Sequence, residues 1–319
     1  MILRFASLVV LSSWSLGAIA QGAGRMDKRL EQVPPALRLA MRSLPNLRFS
    51  GTRNVEGLDG AERVRYQEYV LRDGPRMRIW FPGSSPYAGQ VIVENARQRK
   101  HFFPGRNEIE VGPPKREEAF GRLVNLIKQG SVTCSAEQGG QVAGKPTSLV
   151  SIRERGNVLQ KLWIDAQGMV LRRDLFDLVG ARVGHYEFTE IDYSPRLEAS
   201  DFDFARRGAR VITQFDLAKR LASESGLSAI VIPESEGYQL ESSRMLKGSR
   251  IPVLHQVYIK PGASVSLFQA RGVVDLPFMR RAGKGLAVVS WNDNGNTFAL
   301  LGNVEEAEIR RLARLIGMR

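Results

Sequence analysis

Between Leu47 and Asp192 the sequence is a succession of short strand-like segments. Each one alternates apolar and polar residues or is rich in β-branched and aromatic residues, and Gly, Pro, Asp or Asn separates it from the next. Most intervals are too short for the helices that parallel crossovers need, so the pattern predicts antiparallel hairpins. Roughly ten strands in one stretch are too many for a small flat sheet, and the sheet must therefore curl or close.

Several of these segments carry bulky apolar residues on both sides of the pleat. A sheet with one face on a core and the other in water should alternate cleanly. Here Met77 and Ile79 share one side of a strand while Trp80 lies on the other, and Trp163 alternates with apolar neighbours. Two arrangements explain this pattern: a sandwich core without a cavity, or a curved sheet with one face against a helix and the other lining an apolar space for a hydrophobic ligand.

The composition changes near residue 200. The stretch from Ser194 to Arg210 is rich in Pro, Gly and charged residues and lacks helical periodicity, which predicts a linker near residues 205–212. Beyond it, two helical segments and six short strand segments indicate a smaller α+β domain, with a hairpin turn at Asn292–Asn296. Because typical domains have about 100 to 200 residues, we predict two domains, 21–208 and 209–319.

The predicted fold class is therefore α+β. The first domain is a strongly curved antiparallel sheet of about ten strands with helices, and the second is the smaller α+β domain.

The N-terminus has the pattern of a secretory signal. Arg4 precedes an apolar run from Phe5 to Leu16, and Ala18-Ile-Ala20 is a small-x-small cleavage pattern. Serines interrupt the apolar run, which is shorter than the about 20 residues that a membrane-spanning helix needs. We predict that residues 1–20 are a signal peptide, cleaved near Ala20, and that the mature protein is soluble outside the cytoplasm, with only peripheral or transient membrane association.

The chain is strongly basic, with a formal net charge of +13. An exported chain rarely meets nucleic acid, so we expect anionic lipid headgroups, lipopolysaccharide or an acidic protein segment as counterparts, with a solvated surface as the alternative. Arg280, Arg281 and Lys284 lie in a Gly-containing loop and are the candidate contact to an acidic partner or a headgroup. Cys134 is the only cysteine, which excludes an internal disulfide.

The sequence contains no recognisable catalytic constellation. His101, His185 and His255 lie in separate predicted strands, where we expect them on the strand surface, and they share no metal-ligand spacing with Cys134. Nucleophile-elbow, phosphate-loop and dinucleotide-binding patterns do not occur. We predict a binding or regulatory protein that is not an enzyme and uses no cofactor or metal.

Short motifs along the chain resemble two related families. The hairpin with Trp163-Ile-Asp165, the strand from Gly184 to Ile191 and the segment Asp201-Phe-Asp-Phe204 are similar to the closing part of the outer-membrane lipoprotein carrier (LolA-like) fold. The helix and strand from Leu37 to Thr52 resemble the start of the periplasmic sigma-E regulators of the RseB/MucB type, which add a smaller C-terminal α+β domain. Three later motifs match that domain: Pro233 to Leu240, Val265 to Phe268 and Phe298 to Gly302.

This resemblance implies a periplasmic protein with a half-open barrel that senses lipid or mislocalised lipoprotein in an apolar cavity. The C-terminal domain would contact the periplasmic domain of an anti-sigma factor in envelope stress signalling. That contact would shield the factor from regulated proteolysis, and capture of lipid or lipoprotein acyl chains would release it. The alternative function is a periplasmic carrier of lipoproteins or lipids.

The candidate ligand contacts are bulky apolar residues of the predicted strands. An ordinary core explains the same residues, and the pattern does not say which strand face lines a cavity. The candidates are Tyr69, Met77, Ile79, Trp80, Val91, Val93, Trp163 and Leu171.

Overall fold

The computed structural model describes residues 33–43, 46–59, 62–114, 123, 126–127, 130–177, 179–246, 251–273 and 286–318. Contacts divide the chain into two compact units. The first comprises the described residues up to Arg106 and from Pro114 to Arg207, and the second comprises Asn107–Pro113 and the described residues from Gly208 onward. The division into domains 21–208 and 209–319 remains a prediction about folding units. The predicted signal peptide lies outside the described residues. So do most residues of 115–129, where the helical spacing of Phe120, Val124 and Ile127 predicts a helix.

Within the described residues, the first unit contains helix α1 (Pro35–Ser43) and a large antiparallel sheet. The strands in chain order are β1 (Arg48–Asp59), β2 (Glu62–Asp73), β3 (Arg76–Trp80), β4 (Val91–Glu94), β5 (Arg99–Phe103), β7 (Thr133–Val142), β8 (Lys145–Glu154), β9 (Asn157–Asp165), β10 (Val170–Phe176) and β11 (Arg182–Asp192), with β6 belonging to the second unit. Their spatial order is β5-β4-β3-β2-β1-β11-β10-β9-β8-β7. Each neighbouring pair is antiparallel, as the sequence predicted.

The sheet is strongly curled but open. Strands β8, β9 and β10 separate β7 from β11, which in a flat sheet would place them about 19 Å apart. Cα atoms of β7 and β11 nevertheless approach within 8 Å. Within the described residues β5 and β7 lie at opposite ends of this order and do not pair, so the prediction of a curved, unclosed sheet is confirmed.

Helix α1 closes part of one face of this sheet. Pro35 opens the helix, where its missing N–H costs no hydrogen bond. Leu37 and Ala40 are completely buried and belong to one core cluster with Val150 and Leu162 of strands β8 and β9. The helix and the curled sheet thus share a single hydrophobic core.

The central strand β1 holds the two halves of the sheet together through a close contact at Gly51. A Cβ atom at this position would lie 2.9 Å from two ring carbons of Phe188 and 2.7 Å from the carbonyl oxygen of Glu190. The Phe188 ring also meets Phe49 edge-on, with centroids 5.8 Å apart. The absence of a side chain at Gly51 therefore lets β11 pack this ring over β1.

Within the described residues, the second unit contains a five-stranded antiparallel sheet, two helices and the parallel strand pair β6–β12. Its elements are β6 (Glu108–Gly112), β12 (Arg210–Thr213), α2 (Gln214–Glu224), β13 (Gln239–Met245), β14 (Val253–Lys260), β15 (Ala263–Arg271), β16 (Ala287–Asp293), β17 (Asn296–Gly302) and α3 (Glu306–Leu315). The sheet order is β13-β14-β15-β17-β16. Both helices pack on the same face, α3 with Val265 and Leu267 and α2 with Leu254. The expected α+β architecture is confirmed in this unit.

The parallel pair β6–β12 is absent from the sequence analysis. Arg210 to Thr213 pair in register with Glu108 to Val111. We predicted a linker over 205–212, but residues 210–212 belong to β12, because a four-residue strand next to a Gly and Arg cluster leaves too short an alternation to identify.

We predict that filling the space at Gly51 destabilises the first unit. Gly51→Ala should lower the free energy of unfolding by roughly 1–3 kcal/mol, because the new methyl group must displace Phe188 or the β11 backbone. Chemical denaturation followed by circular dichroism measures this loss. The matched control is Ser50→Ala, whose side chain lies on the opposite face, and equal effects of the two substitutions would contradict the packing role.

Candidate functional site: the two faces of the curved sheet

The strand register assigns each candidate residue to a face of the large sheet. Val70 lies opposite Ile79, and Tyr69 lies opposite Trp80. We call the face that carries Val70 and Ile79 the core face, since its apolar residues join the cluster with α1. The face that carries Tyr69 and Trp80 is the second face.

Three of the eight predicted ligand contacts lie on the core face. Met77 and Ile79 of β3 are 3% and 1% exposed, and Leu171 of β10 is completely buried. All three belong to the same core cluster. A ligand that contacted them would have to enter the interior of the curl.

Four others form a continuous group on the second face. The rings of Tyr69 and Trp80 stack with centroids 5.2 Å apart. Val91 lies opposite Trp80 on the next strand, and Val93 lies opposite Arg78. Tyr69, Trp80 and Val91 are half-buried, whereas Val93 is buried. The structure thus brings these four residues together as an apolar surface that is partly open to water.

Trp163 is on the second face but apart from this group. It lies on β9, with β10, β11 and β1 between it and Tyr69 on β2. The guanidinium carbon of Arg172 lies 4.2 Å from its ring centroid, within cation–π distance. On its other side Gly139 of β7 approaches so closely that a Cβ atom there would be 3.0 Å from Trp163 Cδ1. Trp163 is therefore held locally and half-buried.

A segment that follows β11 crosses the second face. We call residues 197–204 the strap; it includes a single 3-10 turn, Ala199–Phe202. Arg48 of β1 donates to the Leu197 carbonyl at 3.1 Å, and Arg78 of β3 donates to the Asp201 carbonyl at 3.1 Å. Lys100 of β5 donates to the Phe204 carbonyl at 3.2 Å. Cations from three strands thus fix the strap by its backbone.

Aromatic side chains fasten the strap as well. Phe202 is 5% exposed, with the Arg76 guanidinium carbon 5.1 Å from its ring centroid. The ring of Phe204 lies 5.2 Å from that of Phe102. Lys100 also pairs with Asp203 at 3.1 Å, and its hydrogen bond lowers the pKa of that carboxyl. Apolar residues on the second face therefore have two environments. Some lie near the strap, whereas Tyr69, Trp80 and Val91, which we call the Tyr69–Trp80 group, are half-buried.

The core face also contains a buried ion pair that the sequence analysis missed. Arg53 Nε donates to Glu68 Oε1 at 2.5 Å, and the two side chains are 5% and 2% exposed. The Arg53 guanidinium lies over the rings of Tyr186 and Phe188, at 4.9 and 5.6 Å from their centroids. Burial raises the pKa of Glu68 despite the neighbouring arginine. The interior of the curl is consequently not uniformly apolar.

The positions of these two charged residues in the sequence indicate that both are buried. Arg53 lies two residues before the buried Val55, and Glu68 lies two residues before the buried Val70. Residues two apart in a strand point to the same face, so each charged side chain shares a face with a buried residue. Only the pairing of β1 with β2, which places Arg53 opposite Glu68, shows that the two charges neutralise each other.

The histidines are less exposed than we expected. His255 is buried, and its ring lies parallel to Phe268 with centroids 4.4 Å apart. Arg244 Nε donates to its Nδ1 at 3.3 Å, and its Nε2 is 3.0 Å from Ser266 Oγ. Burial, with Arg244 adding to it, lowers the pKa of His255 to about 3, so the ring is neutral at pH 7. The prediction of a strand-surface residue is wrong here, because both faces of this sheet exclude water at β14.

The other two histidines are half-buried. His185 Nδ1 is 2.6 Å from Asp174 Oδ1, and His101 Nε2 is 2.8 Å from Gln90 Oε1. In the part of the chain that the structure describes, no group of three or more His, Cys, Asp or Glu residues could hold a metal ion. The basic group Arg280, Arg281 and Lys284 lies outside the described residues.

We predict that breaking the buried ion pair costs more than removing it. Glu68→Leu should lower the free energy of unfolding by about 3–5 kcal/mol, because Arg53 is left charged and buried. The double variant Arg53→Met, Glu68→Leu should be more stable than Glu68→Leu alone. Urea unfolding of both variants measures the difference.

The control for that experiment is an exposed ion pair. Glu306→Gln removes the partner of Arg310, four residues along helix α3, and should cost less than about 0.5 kcal/mol. A double variant as unstable as Glu68→Leu would contradict the role assigned to the uncompensated charge.

No protein-family model and no curated protein matches the sequence. Within the described residues no helix is long and apolar enough to cross a membrane.

Among solved structures, the chain is similar to the complex of Pseudomonas aeruginosa MucA and MucB. The identity is 16%, the match covers 90% of this chain and 96% of that chain, and the TM-score is 0.45. A crystal structure of MucB gives 14% identity, 88% and 95% coverage and a TM-score of 0.44. A LolA superfamily protein from Nitrosomonas europaea gives 13% identity, 53% and 96% coverage and a TM-score of 0.27. These three structures are of MucB and of a LolA superfamily protein, the two kinds of protein that the sequence motifs resemble.

Proposed function

We propose that the protein is an exported, non-enzymatic regulator of the periplasm that binds a lipid or the acyl chains of a lipoprotein. The observation that carries the proposal is the half-exposed apolar group Tyr69, Trp80 and Val91 on a strongly curled, open sheet. Aromatic side chains bury about 150–250 Å² each, so two stacked rings left half in water offer substantial area to an apolar ligand. An acyl chain laid along β2, β3 and β4 would cover this area.

The eight candidate residues remain our proposed ligand contacts, and their distribution gives the proposal two forms. In the first, the ligand lies on the second face, against Tyr69, Trp80, Val91 and Val93, with Trp163 as a separate contact. In the second, the ligand enters the curl and reaches Met77, Ile79 and Leu171. We favour the second face, because Tyr69, Trp80 and Val91 are only half-buried and are accessible without opening the core.

The proposed partner is the periplasmic domain of a membrane anti-sigma factor. This part of the proposal rests on the RseB/MucB-type motifs and on the second compact unit, which a simple acyl-chain carrier does not need. Binding would shield the factor from regulated proteolysis in envelope stress signalling, and ligand capture would release it. Arg280, Arg281 and Lys284 stay the proposed contacts to an acidic partner or a headgroup.

Binding of a fluorescent fatty-acid probe tests the ligand. Trp80→Ala should weaken binding at least about fivefold, because half of a large apolar contact is lost. Trp291→Ala, which removes a half-buried tryptophan of the second unit, is the matched control and should leave binding unchanged. Ile79→Ala distinguishes the two forms, since only entry into the core makes this residue a contact. A folded Trp80→Ala variant with unchanged affinity contradicts the second-face form.

Affinity capture from detergent-solubilised membranes tests the partner. The mature protein, used as bait, should recover a single-span anti-sigma protein, identified by mass spectrometry, and added fatty acid should lower its yield. Repeated recovery of lipoproteins alone, with transfer of bound acyl ligand to acceptor membranes, would instead establish the alternative function of a periplasmic lipoprotein or lipid carrier.

A further inference from the structure

The Tyr69–Trp80 group is part of a longer apolar row on the second face. Val91 lies opposite Trp80 and also opposite Phe102 of β5. Residues directly opposite each other on neighbouring strands share a face. The row therefore crosses β2, β3, β4 and β5, with the members Tyr69, Trp80, Val91 and Phe102. Its last member is buried: Phe102 is 7% exposed, and its ring lies 5.2 Å from that of Phe204 in the strap.

The strap crosses the neighbouring row of the same face. Arg78 of β3 lies opposite Val93 of β4, and Val93 lies opposite Lys100 of β5. Arg78 and Lys100 hold the strap by the carbonyl groups of Asp201 and Phe204. Val93 lies between these two anchors and is 3% exposed. The strap thus passes over β4 at Val93, one of the proposed ligand contacts.

Arg78 connects the strap to the half-buried end of the row. Its guanidinium carbon lies 5.8 Å from the ring centroid of Trp80, within cation–π distance. The same side chain donates to the Asp201 carbonyl at 3.1 Å. An acyl chain laid on the Trp80 ring would compete with this guanidinium, and so would disturb one anchor of the strap.

The two ends of the 3-10 turn and its continuation are held unequally. Phe202 is 5% exposed, whereas Phe204 is half-buried. The carboxylate that pairs with Lys100, Asp203, has a side chain that is 75% exposed, and ion pairs in water contribute little to stability. Segments held by few buried contacts open before the rest of a fold. The end of the strap at Phe204 can therefore open while Phe202 stays in place.

We propose that the strap is an internal competitor of the acyl-chain ligand. When the strap is closed, Phe204 covers Phe102 and the strap backbone covers Val93. A ligand that binds Tyr69 and Trp80 lifts Phe204 off Phe102 and continues along the row. The inference rests on the proposed function and names its regulation. The ligand favours the open strap because only that state offers it the additional apolar contacts.

The strap also lies on the chain between the ligand surface and the second unit. Residues 205–209 alone separate it from β12, which starts at Arg210. Release of Phe204 from Phe102 lengthens the free connection between the first unit and β12. Ligand binding on the second face thereby changes the tether of the unit that supports the proposed regulatory partner.

Titration with the fluorescent fatty-acid probe tests the competition. Phe204→Ala removes the ring that covers Phe102 and should raise the affinity about threefold or more, because the binding-competent state becomes more populated. The matched control is Phe215→Ala, which removes a ring of helix α2 that is 38% exposed, and it should leave the affinity unchanged. A folded Phe204→Ala variant with lower affinity would make the strap part of the binding wall, and one with unchanged affinity would make it a bystander. Either result overturns the proposal.

Hydrogen–deuterium exchange of the wild-type protein gives a second measurement that needs no variant. A saturating concentration of fatty acid should speed exchange of the amides of residues 200–206 at least about threefold, because the strap opens. The turn between β8 and β9, residues 153–158, is the internal control and should exchange at the same rate with and without fatty acid. Unchanged or slower exchange in the strap would show that the ligand binds with the strap closed, contrary to the proposal.

The ligand site and the competition fail in different ways. If Trp80→Ala binds the probe as the wild type does, the second-face site itself is wrong. If Trp80→Ala loses affinity while Phe204→Ala gains none, the site stands and only the competition is wrong. Absence of probe binding to both the wild type and Phe204→Ala would overturn both proposals.

Discussion

The architecture of the first unit depends on how β1 is paired. This strand lies in the middle of the sheet, hydrogen-bonded to β2, its neighbour in sequence, and to β11, more than a hundred residues later. Two features of β1 fix those pairings. Gly51 leaves room for the ring of Phe188, and Arg53 is paired with the carboxylate of Glu68, directly across on β2. A shift by one residue on either side would bury a charge without a partner or drive a side chain into Phe188.

That register also explains why strands are apolar on both sides. One side faces the core shared with α1. On the other, the strap brings Phe202 and Phe204 back across the sheet, held by Arg48, Arg78 and Lys100. The strap accounts for part of this apolar face; the cavity wall considered from the sequence stays a prediction. The Tyr69–Trp80 group is the part of it that remains half-open, which is why we favour it for ligand binding.

Local patterns predicted most strands and turns, because the alternation of a strand and the positive φ of a turn depend on residues that are adjacent in the sequence. The Asn294-Gly295 turn has φ values of 48° and 74°, as that dipeptide favours. Features set by distant residues could not be predicted. Strand β6 pairs with β12, about a hundred residues away, and the environment of His255 depends on Phe268 of the adjacent strand. The candidate ligand residues were separated into two faces by register alone.

The distribution of positive charge shows why net charge is a weak guide to function in this chain. Several of its 46 basic side chains make contacts within the protein. Arg53 pairs with a buried carboxylate, Arg172 packs on the ring of Trp163, and Lys100 donates a hydrogen bond to the strap. Such cations stabilise contacts within the fold. The function of a strongly basic chain must therefore be argued from local groups of residues, since an overall charge of +13 is compatible with a surface that binds nothing.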